Sequence, residues 1–247
     1  MKRFAIVIAL LCLCLAGCVK EKKEQHIESI DIPESNLYLE KLHPMPALVW
    51  EDAESTNLAG LLQEQGSGMM VRLQAGGQIG SGVIYEADDE SISIMTAAHV
   101  IDAADEYVHV TFADGSEAVS RDYYLSEVTD LALVLVPLAD IPSEHLANYC
   151  TVNADREAFD ALTAGDVCIA MGSKTGVAAE AYEGVILESR IYMEDYSQFM
   201  IWAKVNAMPG MSGGGLFDSK GHFLGILSGL SEDGEVAVVP VGNGKIE

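Results

Sequence analysis

The sequence predicts an all-β protein built as two similar lobes. Short runs of β-type residues recur after Gly66, separated by Gly, Asp, Asn and Ser, and no long helical period lies between them. That pattern favours a sandwich or barrels over alternating strands and helices. With 247 residues, 49% of them hydrophobic, the chain can bury a core in one large domain or two small lobes.

The first group of candidate strands is MMVRLQ, SGVIYE, SISIMT, YVHVTF, AVSRDY and LALVLVP. A second group of six begins at Cys168: CIAMG, GVILES, FMIWAK, GGLF, FLGILSG and VAVVPV. The expected domain therefore covers residues 66–247, with lobe one at about 66–140, lobe two at about 150–243 and a junction around 138–165. No internal repeat or low-complexity segment is visible.

Ahead of the domain, MKRFAIVIALLCLCLAGC has a basic start and an apolar run from Phe4 to Ala16, short for a membrane span and suited to a signal peptide covering residues 1–17. Its end, Leu15-Ala16-Gly17-Cys18, resembles the lipobox of bacterial lipoproteins, which implies lipidation of Cys18; the plainer alternative is an ordinary secretory signal. Several acyl chains, at ~0.8 kcal/mol per buried CH₂, would hold the protein on a membrane without a span. Residues 18–65 read as a charged tether followed by a partly docked arm, because HPMPALVW offers apolar side chains between two prolines.

The chain carries 14 basic and 38 acidic residues, and loss of Lys2 and Arg3 with the signal leaves 12 against 38, a net charge of −26. Such a surface excludes nucleic acid as an expected partner, since phosphate neutralisation needs Lys and Arg. Cys150 and Cys168 remain after the signal and Cys18 are set aside. In an exported protein that even pair permits a disulfide, and two buried free thiols are the alternative. His26, His43, His145 and His222 show no metal-ligand spacing, His109 reads as a strand-face residue, and neither metal nor cofactor is expected.

Three segments carry chemistry. In SISIMTAAHVID a strand ends beside small residues and presents His99; in EVTDLALVLVP, Asp130 stands at the entrance to a buried strand, where a carboxylate needs strong hydrogen bonds. In NAMPGMSGGGLFD, residues of minimal bulk let the backbone N–H groups of Gly210 and Ser212 converge, as an oxyanion requires. Singly, each has a plainer reading: a backbone-satisfied histidine, a capping aspartate, a Gly-rich loop. Together they follow the order His, Asp, Ser, each at a strand border, which is the order of the chymotrypsin template.

On Gly80-Ser81-Gly82-Val83-Ile84, Thr96-Ala97-Ala98-His99-Val100, Asp130-Leu131-Ala132-Leu133, Pro209-Gly210 and Ser212-Gly213-Gly214, residues 66–242 resemble the chymotrypsin-like serine peptidases, in particular the bacterial high-temperature-requirement (Deg-type) branch. The resemblance implies two six-stranded antiparallel β-barrels with the active site between them. It implies a serine endopeptidase acting on polypeptide: Ser212 as nucleophile, His99 as base, Asp130 orienting the imidazole, and the amides of Gly210 and Ser212 as the oxyanion hole. It places the substrate pocket between Asn206 to Met208 and Leu227-Ser228-Gly229, with Ala237 to Val239 opposite. No acidic residue stands among these, so a small or apolar side chain is expected there.

Two positions depart from the family pattern. Met211 stands where animal digestive relatives carry an aspartate and the bacterial branch commonly asparagine, and Gly215 stands where proline or alanine is usual. Both bear on whether the oxyanion hole is formed at rest, because glycine adds freedom to a loop whose rigidity matters. The five residues after Gly242 leave no room for a PDZ module, so the chaperone-like behaviour of larger relatives is not expected.

Overall fold

The computed structural model describes residues 26–27, 42–51, 56–173, 178–231 and 233–241. The signal segment and Cys18 lie outside them.

Lobe one is a single curled sheet of β1 (His26–Ile27), β2 (Met70–Ala75), β3 (Gln78–Ala87), β4 (Ser91–Thr96), β5 (Val108–Phe112), β6 (Glu117–Ser120), β7 (Asp122–Ser126) and β8 (Ala132–Pro137), in the order β1-β7-β8-β4-β3-β2-β5-β6. Alternation sets the inside face: Ile92 and Ile94 of β4 are fully buried while Ser91 and Ser93 are half-exposed. The segment AVSRDY, expected as one strand, is two. β6 pairs with β5, β7 pairs with β8, and only Arg121 separates them. One bent strand thus runs from β6 at one edge of the sheet to β7, next to the other edge, and Ser120 Oγ at the bend donates to Leu135 O at 2.6 Å.

Lobe two is a closed barrel of β9 (Val167–Gly172), β10 (Glu180–Met193), β11 (Gln198–Val205), β12 (Gly215–Asp218), β13 (Phe223–Leu230) and β14 (Glu235–Pro240), ordered β10-β11-β14-β13-β12-β9. Every pairing in it is antiparallel. The chain is mostly β, as the sequence predicts. β10 runs well beyond the expected GVILES: its first half pairs with β9 and its second half only with β11, with two bulges along the way.

The approach to lobe one contains a helix that strand periodicity did not reveal, α1 (Leu58–Gly66). Asn57 Oδ1 caps it by accepting from Gly60 N, and Glu183 Oε1 of β10 accepts from Ala59 N at 3.0 Å. Leu58 and Leu62 pack inward. Before it, residues 42–51 lie against the body of the protein. Leu42, Met45 and Leu48 are buried, Met45 N donates to Thr151 O, Leu48 N to Lys220 O, and Trp50 Nε1 to Ser219 O.

Two further short helices complete the frame, α2 (Ala98–Ile101) after β4 and α3 (Arg156–Asp160) between the lobes. The largest apolar cluster runs from the lobe-one interior through Met45 and Leu62 to Met171, Phe217 and Phe223 of lobe two. A core shared across the seam holds the two lobes in one relative position, and the functional side chains depend on that seam.

Candidate active site

Where β4 ends at Thr96, the chain turns through an extended Ala97 into α2, which lifts His99 to the seam. Its ring Nδ1 lies 2.8 Å from Asp130 Oδ2, and its own backbone N–H donates to Asp130 Oδ1 at 3.0 Å. One carboxylate thus holds both the imidazole and the main chain of the same residue. With the proton on Nδ1, the lone pair of Nε2 is left to act as a base. The carboxylate accepts a third hydrogen bond on Oδ2, from Ser228 Oγ of β13 in the other lobe.

These contacts set the charges. The hydrogen bond to Asp130 raises the His99 pKa above its ordinary value; burial opposes it, and the nearby charges of Asp130 and Asp102 add to the rise. For Asp130, burial pushes the carboxyl up, yet the bonds from His99 and Ser228 outweigh it and the pKa ends below normal. The pair therefore favours an ionised aspartate beside an imidazole that protonates readily.

Ser212 sits in a loop whose peptide planes are individually tied. Met208 to Met211 form a β-turn closed by Met211 N donating to Met208 O at 3.0 Å, with Pro209 second and Gly210 third at φ +98°, the positive φ that a type II turn requires. Ser212 O accepts from Ser81 N at 2.8 Å, Gly213 N donates to Leu227 O, and Gly214 N donates to Met211 O. Gly213, at φ +82°, packs so closely that a Cβ there would overlap Ser81 O and Thr96 Oγ1 and sit 3.2 Å from Ala97 N, two residues before His99. The serine loop is therefore seated on the strand and helix that carry the histidine. Among the described residues, the amides of Gly210 and Ser212 donate to no protein acceptor, and Ser212 Oγ makes no hydrogen bond to His99.

An imidazole bonded to a carboxylate at the seam of two β-lobes, with a glycine-bounded serine later in the chain on a loop seated against the same elements, is the layout of a trypsin-like domain, and residues 80–226 match the trypsin-like peptidase domain. The chain belongs to that family. It is 29% identical over 195 residues to a probable periplasmic serine endoprotease, DegP-like, of Pseudomonas savastanoi, covering 78% of this chain and 38% of the relative. Against the serine protease Do-like HtrA of Lactococcus lactis it is 30% identical over 175 residues, covering 66% and 40%. The chain thus spans about two fifths of these relatives' length. Among solved structures it resembles the HtrA-type protease AlgW with a tripeptide, with a TM-score of 0.61 and 26% identity over 75% of this chain and 60% of that one. The Rv3671c protease in its inactive form shares the fold at a TM-score of 0.53 and 22% identity, over 72% and 85%.

Within this trypsin-like domain, two expected pocket residues do other work. Leu227 points into the lobe-two core, and Ser228 donates its only proton to Asp130. Asn206 is exposed and Met208 and Gly229 are half-buried. Beside Gly229 lies an open cavity of about 450 Å³ lined by Met193, Tyr196, Trp202, Gly229, Leu230 and Ala237. Glu194 and Asp195, on the turn from β10 to β11, also line it, while the residues expected to form the pocket include no acidic group themselves. Tyr196 of that turn sets its hydroxyl above Gly229 where a larger residue's side chain would begin, and burial raises its pKa.

The two family departures also find their explanation. Gly215 is the first residue of β12, paired with Met171 and Ile226, and a Cβ there would meet the Phe217 ring at 2.6 Å; it adds no freedom to the serine loop. Met211 is buried, and its sulfur accepts from Met208 N at 3.3 Å, supporting the turn from within. Cys150 and Cys168 are both free thiols. Among the described residues no cluster of three or more His, Cys, Asp and Glu is placed to hold a metal.

Proposed function

We propose that the protein is an exported, lipid-anchored serine endopeptidase that cleaves extended or unfolded polypeptide outside the bacterial cytoplasm. The observation that carries the reading is the His99–Asp130 pair, braced across the seam by Ser228, beside two unengaged amides at Gly210 and Ser212. Ser212 Oγ attacks the scissile carbonyl while His99 Nε2 takes its proton, Asp130 keeps the imidazole oriented and stabilises its cation, and the two amides receive the oxyanion. His99 then returns the proton to the leaving amine.

An extended substrate suits the edge of β13. At Gly229 and Leu230 that strand pairs with β14 on one side and has no strand partner on the other among the described residues. The relatives named as periplasmic endoproteases favour an extracytoplasmic location, and Cys18 with the charged tether supports attachment to a membrane. The missing bond from Ser212 to His99 is the observation that favours a silent, peptide-binding module instead. Catalytic hydrogen bonds commonly tighten only when substrate is bound.

A fluorophosphonate probe and casein digestion separate these readings, using protein without residues 1–18. Labelling and digestion by wild type, lost in both Ser212→Ala and His99→Ala, is the expected result. Wild type as silent as Ser212→Ala would overturn the peptidase reading and favour the binding module.

A further inference from the structure

Ser81 is fully buried at the seam, and it reaches the serine loop from the opposite lobe through two donors. Its N–H donates to Ser212 O at 2.8 Å, and its Oγ donates to Gly210 O at 2.8 Å. The same Oγ accepts from Ser173 N at 2.7 Å, at the end of β9, while Ser81 O accepts from Thr96 Oγ1 at 2.7 Å, at the end of β4. Every polar atom of Ser81 outside the strand ladder is thereby tied to a segment that builds the site.

Taken plane by plane, the loop shows why this matters. The peptide between Gly210 and Met211 is held at both ends, its carbonyl by Ser81 Oγ and its N–H by Met208 O. The peptide between Ser212 and Gly213 is also held at both ends, its carbonyl by Ser81 N and its N–H by Leu227 O. The two amides proposed for the oxyanion, those of Gly210 and Ser212, belong to the alternate planes. The Cα atoms of Gly210, Met211 and Ser212 are corners of the held planes, so those planes fix the points from which the two oxyanion amides hang; a plane between fixed corners turns only by opposed changes of ψ before it and φ after it, the soft dihedrals of the backbone. Gly210, at φ +98°, is the residue in this turn with the most room to rotate.

We infer that the Ser81 hydroxyl is a positioning group for the oxyanion hole: it clamps the Gly210 carbonyl from lobe one and keeps the Gly210 and Ser212 amides aimed at one point. Met211 gives the turn only a weak sulfur acceptor, so the strong bond fixing the 210–211 plane from outside the turn is the one from Ser81. The inference deepens the proposed peptidase reading and rests on it for its catalytic consequence.

Ser81→Ala removes the clamp without touching His99, Asp130 or Ser212. Displacing groups at the reacting centre by about 1 Å costs on the order of 100-fold in rate. The expected result is a kcat roughly 10- to 100-fold lower with KM within about twofold, an equal loss of affinity for a peptide boronate, and an unchanged acid limb of the pH profile. Ser81→Cys, which keeps a weak donor, is expected to fall between wild type and Ser81→Ala and carries the measurement if the alanine variant does not fold. A variant with wild-type kcat and boronate affinity, or one whose loss lies wholly in KM, overturns the proposal. Hydrogen exchange of residues 206–214 supplies a readout that does not depend on catalysis: Ser81→Ala is expected to accelerate it at least tenfold relative to β4 and β11, and unchanged exchange overturns the clamp. Should wild type prove inactive, the peptidase reading falls while the exchange data still decide the clamp.

Discussion

Gly213→Ala tests whether the serine loop is wedged against lobe one or merely lies beside it. Two costs add at this position. A residue with a Cβ at φ +82° is strained, by about 1–2 kcal/mol for the left-handed conformation. The added methyl also overlaps Ser81 O, a backbone carbonyl in a sheet, and Thr96 Oγ1, a fully buried hydroxyl already bonded to that carbonyl. Neither can swing aside, so overpacking takes the upper part of its usual range, about 2–3 kcal/mol. The sum is about 3–5 kcal/mol. Gly115 and Gly165 are the internal controls, because their φ values of +85° and +95° match while an added Cβ meets nothing within 4 Å. Alanine there is expected to cost only the backbone share, about 1–2 kcal/mol. Urea unfolding of the three variants reads the difference: with a slope of about 2 kcal/mol/M, Gly213→Ala falls about 1 M below the two controls in midpoint. A Gly213→Ala midpoint indistinguishable from that of Gly115→Ala would refute the wedge.

Two further predictions concern charge and thiols. Hydrolysis needs neutral His99, so with its pKa raised by Asp130 the rate is retained above that value and falls as pH drops through it; Asp130→Asn removes the largest raising contact and leaves only the charge of Asp102 against burial, so it is expected to move the acid limb to lower pH while kcat drops by about 10⁴. An acid limb that stays in place in this variant would show that the pair does not govern the titration. Burial pushes the Cys150 thiol up to about 11 and the Cys168 thiol up to about 12, so both are expected to alkylate only on unfolding, and reductant is expected to leave Tm unchanged. A drop of several degrees on reduction would reveal a bridge, which typically stabilises by about 2–4 kcal/mol.

Much of the fold was legible because strand periodicity is local. SISIMT became β4 residue for residue, since each Ile faces the core and each Ser faces out. AVSRDY failed as one strand because nothing local marks Arg121 as the corner where the sheet bends round to meet itself. Helix α1 was missed for a similar reason: Leu58 and Leu62 are its main apolar anchors, and its first turn is completed by Glu183, far along the chain.

By itself the sequence determined most of the strands, the two lobes and the three segments bearing His99, Asp130 and Ser212, because side-chain alternation, glycine placement and residue chemistry are written into short windows. Tertiary structure alone decided that Ser228 serves Asp130 rather than a pocket, that Gly215 makes room for the Phe217 ring, that Glu194 and Asp195 overhang β13, and that Ser81 braces the loop from the other lobe. Each of these is a contact between residues far apart in the chain. Its partner is chosen by how the barrel and the curled sheet pack on a shared core, and no local pattern encodes that choice.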